Sequence, residues 1–228
     1  MMHQLIDKKK YLLYLSILLL LSTINSQSLI NSKFFKIKDI EILEDKLNIN
    51  NSLKEIIEDN LTIFIDQNIF LLDKKKIEKK ISDNNWISNY SIQKKYPSKL
   101  IVNLRKTEPI AKIIVDNEIF YVGSNFKLIK SKIQFNDLPN IFGKPKINEF
   151  KKLITNLNLS SLSYRDISDI YYLKSGRWNL KIRNNVIIKL PRDNILESLN
   201  LVKKILDNKN IISKNTIDLT VKNQIIVD

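Results

Sequence analysis

Chemistry at an enzyme centre needs acids, bases, nucleophiles or metal ligands brought close together, and this chain carries few such groups. Cysteine is absent and His3 is the single histidine. Thiolate zinc sites, iron–sulfur clusters, disulfides and Ser-His-Asp or Cys-His arrangements beyond the first few residues are thereby excluded. Gly123, Gly143 and Gly176 are the only glycines and lie far apart, so no phosphate-cradling loop of a standard type can be assembled. Two carboxylate pairs, Glu41/Glu44 and Glu55/Asp59, have the spacing for acid/base work. Neither sits beside another reactive group, and both read as a solvated strand edge and a solvated helix face. The inventory predicts no catalysis, no cofactor and no metal.

Recognition is the other kind of chemistry. The net charge of +14 points to anionic partners such as nucleic acid or lipid headgroups. Lys, Asn and Ile dominate along the whole length, Arg is scarce and Ala111 is the lone alanine. That is compositional bias, whereas a nucleic-acid reader concentrates its charge in one stripe. No nucleic-acid partner is expected. Trp86 and Trp178 are the only tryptophans and read as core. The last stretch, Thr216–Val227, is extended and rich in apolar residues. A strand near the edge of a sheet offers unpaired N–H and C=O groups to a partner strand.

The elements that would position these residues begin with an apolar run, Tyr11–Leu21, preceded by Lys8, Lys9 and Lys10 and continuing weakly to Ile24. Positive charge ahead of an apolar segment holds the N-terminus in the cytoplasm. As a helix Tyr11–Ile24 reaches only about 21 Å, against a hydrocarbon core of about 30 Å. Extension to Ile30 supplies the length but adds Asn25, Ser26, Gln27 and Ser28. A cleaved export signal and an uncleaved anchor both fit, and either sends the remainder out of the cytoplasm.

The exported part reads as two portions meeting near Glu108–Ala111. In the first, Phe35, Ile37, Ile40 and Ile42 form a strand-like set. Ser52-x-x-Glu55 is a capping box for a helix bearing Leu53, Ile56, Ile57 and Leu61. Asn68–Leu72 is a short extended link. Asp73 caps a second helix, Lys74–Ser82, with Ile77 and Ile81 on one face. Ile87–Lys95 and Lys99–Glu108 then form a hairpin around Tyr96-Pro97-Ser98, giving β-α-α-β-β. In the second portion, Ile113–Val115 and Ile119–Val122 flank the turn Asp116-Asn117. Asn148–Leu157 is helical. Ile170–Lys174, Trp178–Ile182 and Val186–Leu190 make a meander, and Ile195–Leu206 is an amphipathic helix with Leu199, Val202 and Leu206 inward.

This order resembles the FtsQ/DivIB family of cell-division proteins. The first portion is similar to a POTRA domain through Phe35-Lys36-Ile37-Lys38-Asp39-Ile40, Asn68-Ile69-Phe70-Leu71-Leu72-Asp73, Asn85-Trp86-Ile87 and Tyr96-Pro97-Ser98-Lys99-Leu100. It closes on Arg105-Lys106-Thr107-Glu108-Pro109-Ile110-Ala111. The second resembles the family's β-domain through Asp137-Leu138-Pro139 with Gly143, Arg177-Trp178-Asn179-Leu180, Lys189-Leu190-Pro191 and Ile217-Asp218-Leu219, with Thr220 where relatives carry Arg.

The resemblance implies an α+β protein. It would have a cytoplasmic stub over 1–10, a transmembrane helix over 11–30, a POTRA β-α-α-β-β domain over 33–108, and a mostly antiparallel β-domain with flanking helices over 109–228. It tips the N-terminal segment towards an uncleaved anchor. It also implies a non-enzymatic divisome scaffold of the inner membrane, with its bulk in the periplasm at the septum, linking early and late division proteins and helping recruit or regulate septal peptidoglycan synthesis. FtsB and FtsL proteins (DivIC in other bacteria) would be partners, with other division proteins on the POTRA part. The partner strand would lie along Ile217–Val227, involving Ile217, Leu219, Val221, Asn223, Gln224, Ile225 and Val227. Rival readings are a POTRA-bearing secretion or assembly factor, for which the chain is too short to add a barrel, and a secreted basic binding protein.

Overall fold

The computed structural model describes residues 8–23, 32–44, 51–207, 215–221 and 224–228. The N-terminal apolar run forms helix α1, Lys8–Thr23, of 16 residues. A helix of that length rises about 24 Å, and no helix among the described residues is long and apolar enough to cross a membrane. Of the segment expected over 11–30 as a transmembrane helix, the part up to Thr23 is helical but does not reach spanning length, and 24–30 lie outside the described residues. The apolar run simply stops where Asn25 and its polar neighbours begin.

Beyond α1 the chain separates into two compact units between Lys106 and Thr107. The first unit is β1 (Asp39–Glu44), α2 (Asn51–Leu61), α3 (Lys74–Ser82), β2 (Ile87–Lys95) and β3 (Lys99–Lys106). Strand β3 is central, parallel to β1 and antiparallel to β2. Alternation along β3 buries Leu100, Val102 and Leu104, which meet Ile57 and Leu61 of α2 and Ile77 and Ile81 of α3. The Asp73 cap forms as expected, its carboxylate accepting from the Lys75 N–H at 3.0 Å. The capping box expected at Ser52 lies outside the residues whose side chains are described. One strand begins later than its apolar pattern suggested. Lys33–Phe35 is a 3₁₀ turn capped by Ser32, so Phe35 and Ile37 precede β1. At the start of β1, Lys99 joins Asp39 at 2.9 Å and Glu41 at 2.8 Å, tying β3 to β1. Those two carboxylates hold the lysine above its ordinary pKa.

The second unit is one nine-stranded sheet with two helices. Its strands are β4 (Pro109–Val115), β5 (Glu118–Gly123), β6 (Leu128–Ile129), β7 (Asn140–Phe142), β8 (Ile167–Tyr172), β9 (Trp178–Ile182), β10 (Ile187–Lys189), β11 (Thr216–Asp218) and β12 (Ile226–Val227). Helix α4 (Ile147–Leu159) connects β7 to β8, and α5 (Ile195–Leu206) connects β10 to β11. The spatial order is β12-β11-β10-β9-β8-β7-β4-β5-β6.

The β4–β5 turn has Asp116 and Asn117 both at positive φ, the conformation a two-residue hairpin with right-handed twist requires. The β8-β9-β10 meander forms where the alternation placed it. The sheet is nonetheless mixed. β4–β7, β7–β8 and β10–β11 are parallel: α4 and α5 return the chain for the last two pairs, and the β5–β6 excursion does so for the first.

One core serves the whole unit. Phe150, Leu153, Ile154 and Leu157 of α4 and Ile195, Leu199, Val202 and Ile205 of α5 pack on Trp178, Leu180, Ile170 and Ile188. Gly143, at φ +92°, follows β7 so closely that a Cβ there would lie 2.4 Å from the Tyr172 carbonyl oxygen. Only glycine satisfies both demands.

Candidate partner-binding groove at the β12 edge

The groove begins with how β11 ends. Ile217, buried, and Asp218 pair with Ile188 and Lys189 of β10, and the Leu219 N–H donates to the Lys189 carbonyl at 3.0 Å. Asp218 then stops the strand. Its Oδ1 accepts from the Thr220 N–H at 2.9 Å and from the Thr220 hydroxyl at 2.6 Å, an Asx turn that replaces the next ladder bond. Lys189 approaches the other carboxylate oxygen at 3.4 Å. Burial pushes the Asp218 pKa up, but the Thr220 and Lys189 contacts outweigh it and hold the carboxyl below its ordinary value. A second turn follows, with the Gln224 N–H donating to the Val221 carbonyl at 3.2 Å. The chain returns as β12, antiparallel to β11, with Ile217 opposite Val227 and Asp218 opposite Ile226.

The expected single strand over Ile217–Val227 is thus a hairpin. The alternation Ile217, Leu219, Val221 suits a strand that continues, and nothing in it marks the Asp218–Thr220 turn. The fold-back has a direct consequence for the predicted residues. Ile217 and Leu219 are core, and β11 is paired on both sides. Val221, Ile225 and Ile226 are each nearly half exposed, Gln224 is exposed and Val227 is half-buried. Asn223 lies outside the described residues.

The open edge belongs to β12. Thr216 and Asp228 exchange both of their N–H···O=C bonds, at 2.9 and 3.0 Å. In an antiparallel ladder the next opposed pair is then the non-bonded kind. The N–H and C=O of Val227 consequently face away from β11. Beside this edge lies an open concavity of about 750 Å³. Val221 and Ile225 form one wall, Leu201 and Glu197 of α5 another, and Arg177 and Arg192 the rim. The sequence reading missed the α5 wall. Its signal was present, since Leu201 is an apolar residue off the Leu199/Val202 face and so had no core to enter. Among the described residues no cluster of three or more His, Asp or Glu could hold a metal.

Comparison with known proteins places this edge in context. The family model for the FtsQ-type POTRA domain matches residues 35–106. The model for the C-terminal part of cell division protein FtsQ/DivIB matches residues 113–220. Cell division protein FtsQ of Rickettsia bellii is 25% identical over 170 residues, taking in 70% of this chain and 61% of the relative. Cell division protein DivIB of Clostridium botulinum strain Hall is 33% identical over 105 residues, 46% of this chain and 40% of that protein. FtsQ of Cellvibrio japonicus is 26% identical over 138 residues, 59% and 42% of the two chains. The matches therefore span less than two thirds of each relative's own length. The C-terminal family model ends at Thr220, before the turn and β12.

Proposed function

The chain belongs to the FtsQ/DivIB family of cell-division proteins, and we propose on that premise that it is a non-enzymatic scaffold of the division machinery. In this reading α1 holds it in the inner membrane, with Lys8–Lys10 on the cytoplasmic side and both folded units in the periplasm at the septum. The scaffold links earlier and later division proteins and helps recruit or regulate septal peptidoglycan synthesis. The POTRA unit contacts further division proteins. An FtsB-like partner, with its FtsL-like companion, adds a strand to β12.

What supports the partner site is the outward backbone of Val227 at the sheet edge, with Val221, Ile225 and Leu201 lining a mixed polar and apolar concavity nearby. Strand addition obtains much of its affinity from main-chain hydrogen bonds and its selectivity from alternate side chains. That explains how the site can work with Thr220 where relatives carry Arg. Leu201, Val221 and Ile225 can take apolar side chains of an incoming strand, while Arg177, Arg192 and Glu197 offer both signs of charge to its flanks.

Replacing Ile225 by proline removes a backbone N–H beside that edge without touching the core. Binding of the FtsB-like protein of the same organism, measured by calorimetry on the full-length chain in detergent, is expected to weaken at least tenfold, about 1.4 kcal/mol. The melting temperature should stay within a few degrees. A folded Ile225→Pro protein that binds with unchanged affinity moves the interface away from β12.

A further inference from the structure

A second exposed apolar surface lies in the POTRA unit, and the partner site on β12 does not account for it. Four rings stand in a row. Phe34 meets Phe35 edge-on at 5.1 Å, Phe35 meets Phe70 at 5.0 Å, and Phe70 stacks on Tyr96 at 4.8 Å. Phe34 is 60% exposed and Phe70 and Tyr96 are 54% exposed each, with Leu71 beside them at 66%. The core of the unit takes only the edge of Phe35. Rings of this size in water are costly and unusual on a monomer unless something covers them.

The row is built rather than loose. The Ile69 N–H donates to the Phe35 carbonyl at 2.9 Å, and Asn68 Oδ1 accepts from the Phe70 N–H at 2.8 Å. Lys94 Nζ donates to the Leu72 carbonyl at 3.1 Å and to that of Phe70 at 3.5 Å, clamping the Phe70–Leu72 turn against β2.

The charge around the rings is mostly positive, although exposed Asp66 and Asp73 bracket the stretch that carries Phe70. Phe34-Phe35 is flanked by Lys33 and Lys36, and Tyr96 is preceded by Lys94-Lys95, with no carboxylate in either stretch. The Lys38 N–H donates to the Ser98 carbonyl, bringing a further exposed lysine to the turn that carries Tyr96. Among the described residues, Lys33, Lys38 and Lys95 form no ion pair. A protein partner's footprint is enriched in aromatic residues, phenylalanine included, and depleted in lysine, so the lysines rather than the rings separate a protein from a lipid here. Aromatic rings with snorkelling lysines instead match the headgroup level of a bilayer, where rings settle at the acyl boundary and lysines meet anionic phosphate. The row also starts close to the apolar helix. Nine residues separate Thr23 from Lys33, a reach of at most about 32 Å.

We propose that the Phe34–Phe35–Phe70–Tyr96 row and its lysines form a docking surface for an anionic lipid leaflet. The proposal rests on the reading that α1 holds the chain at a membrane. Docking would lay the POTRA unit against the bilayer instead of leaving it on a free stalk.

The test places a reporter in the row. Full-length protein carrying Phe70→Trp, one ring for another, is incorporated into vesicles of phosphatidylglycerol and phosphatidylethanolamine containing lipids brominated near the top of the acyl chain. The unsubstituted protein supplies the background of Trp86 and Trp178. The expected result is at least twofold more quenching of the Phe70→Trp protein than background. It should fall to background in phosphatidylcholine vesicles, and again when Lys33→Glu and Lys95→Glu are added. An inserted, folded chain with no added quenching overturns the proposal. Equal quenching in phosphatidylcholine overturns its anionic requirement and leaves rings alone as the contact. Carbonate extraction of the same vesicles judges the anchor separately. A stripped chain that had shown the lysine-dependent quenching keeps the docking surface and discards α1 as an anchor; a stripped chain without it discards both.

Discussion

The two exposed apolar surfaces are built from different materials. Around Phe70 they are rings held by side-chain and loop hydrogen bonds and flanked by lysines. Around Ile225 they are aliphatic side chains beside an unpaired backbone, with arginine and glutamate both on the rim. A surface of rings and mostly positive side chains suits a material, such as a lipid surface, that has no backbone of its own to pair. An open edge recognises another chain and can do so through sequence drift, because every peptide unit offers the same donor and acceptor. One protein thus carries a contact suited to a leaflet and a contact suited to a polypeptide, each in a separate compact unit.

The sharpest way to break this division is to charge the aliphatic walls. Leu201→Asp with Ile225→Asp puts two carboxylates into the groove, and the pair should cut affinity for the FtsB-like partner by about a hundredfold, near 2.7 kcal/mol. Both side chains are more than a third exposed, so the melt should move little. Vesicle quenching by the Phe70→Trp reporter should not change. Coupled loss of both contacts would show that the surfaces are not independent.

Salt separates them less drastically. Raising sodium chloride from 0.1 to 0.5 M shortens the screening length from about 10 Å to about 4 Å. Quenching at the ring row should fall severalfold, because Lys33, Lys38 and Lys95 are exposed and form no ion pair among the described residues. Binding at β12 should change less than twofold, since backbone bonds and apolar walls dominate there. Equal salt sensitivity at the two sites would erase the distinction.

The smallest expected effect is in pH. Asp218 sits below its ordinary pKa, so its contribution is present above the unfolded-state value and is lost as pH falls through the lowered one. Amide protection at β11 and β12, corrected for the intrinsic pH dependence of exchange, should therefore fall as pH drops below the ordinary carboxylate value of about 4. Lys99 sits above its ordinary 10.5, so its ties to Asp39 and Glu41 hold at neutral pH and loosen only as pH rises through the raised value. Protection at the β11–β12 edge that is flat in acid would remove Asp218 as the strand's stop.

Much of this architecture was legible in the sequence where a period repeats. Ile195–Leu206 is a helix with the bounds its apolar spacing indicates. Asp73 caps α3, and Asp116-Asn117 turns β4 into β5. Short elements escaped. Strand β7 is three residues long and carries no alternation to detect, although its glycine stood out as the end of the Asp137–Gly143 motif. The same brevity hid the β11–β12 hairpin, whose turn is written in one carboxylate and one hydroxyl, Asp218 and Thr220. For the candidate site, the sequence proposed one strand over Ile217–Val227, and the structure shows there a buried β11 and a half-exposed β12. Ile217 and Leu219 are apolar because they are core, while Ile225 and Val227 owe their place to the edge. The ring row was not foreseen at all. Phe34, Phe35, Phe70 and Tyr96 come from three separate stretches, and only the Lys36–Asn68 bridge and the β2–β3 turn bring them together.

Strand β7 also bears on how the chain finds its structure. On one side of it β4, β5 and β6 follow one another through short turns; on the other, so do β8, β9 and β10. Each set closes small loops and can form early. β7 is parallel to both its neighbours, separated from β4 by the β5–β6 excursion and from β8 by α4. Parallel partners cannot be joined by a tight turn, and each pairing closes a long loop before it gains a hydrogen bond. Three residues, Asn140, Ile141 and Phe142, are therefore where two locally assembled sheets become one.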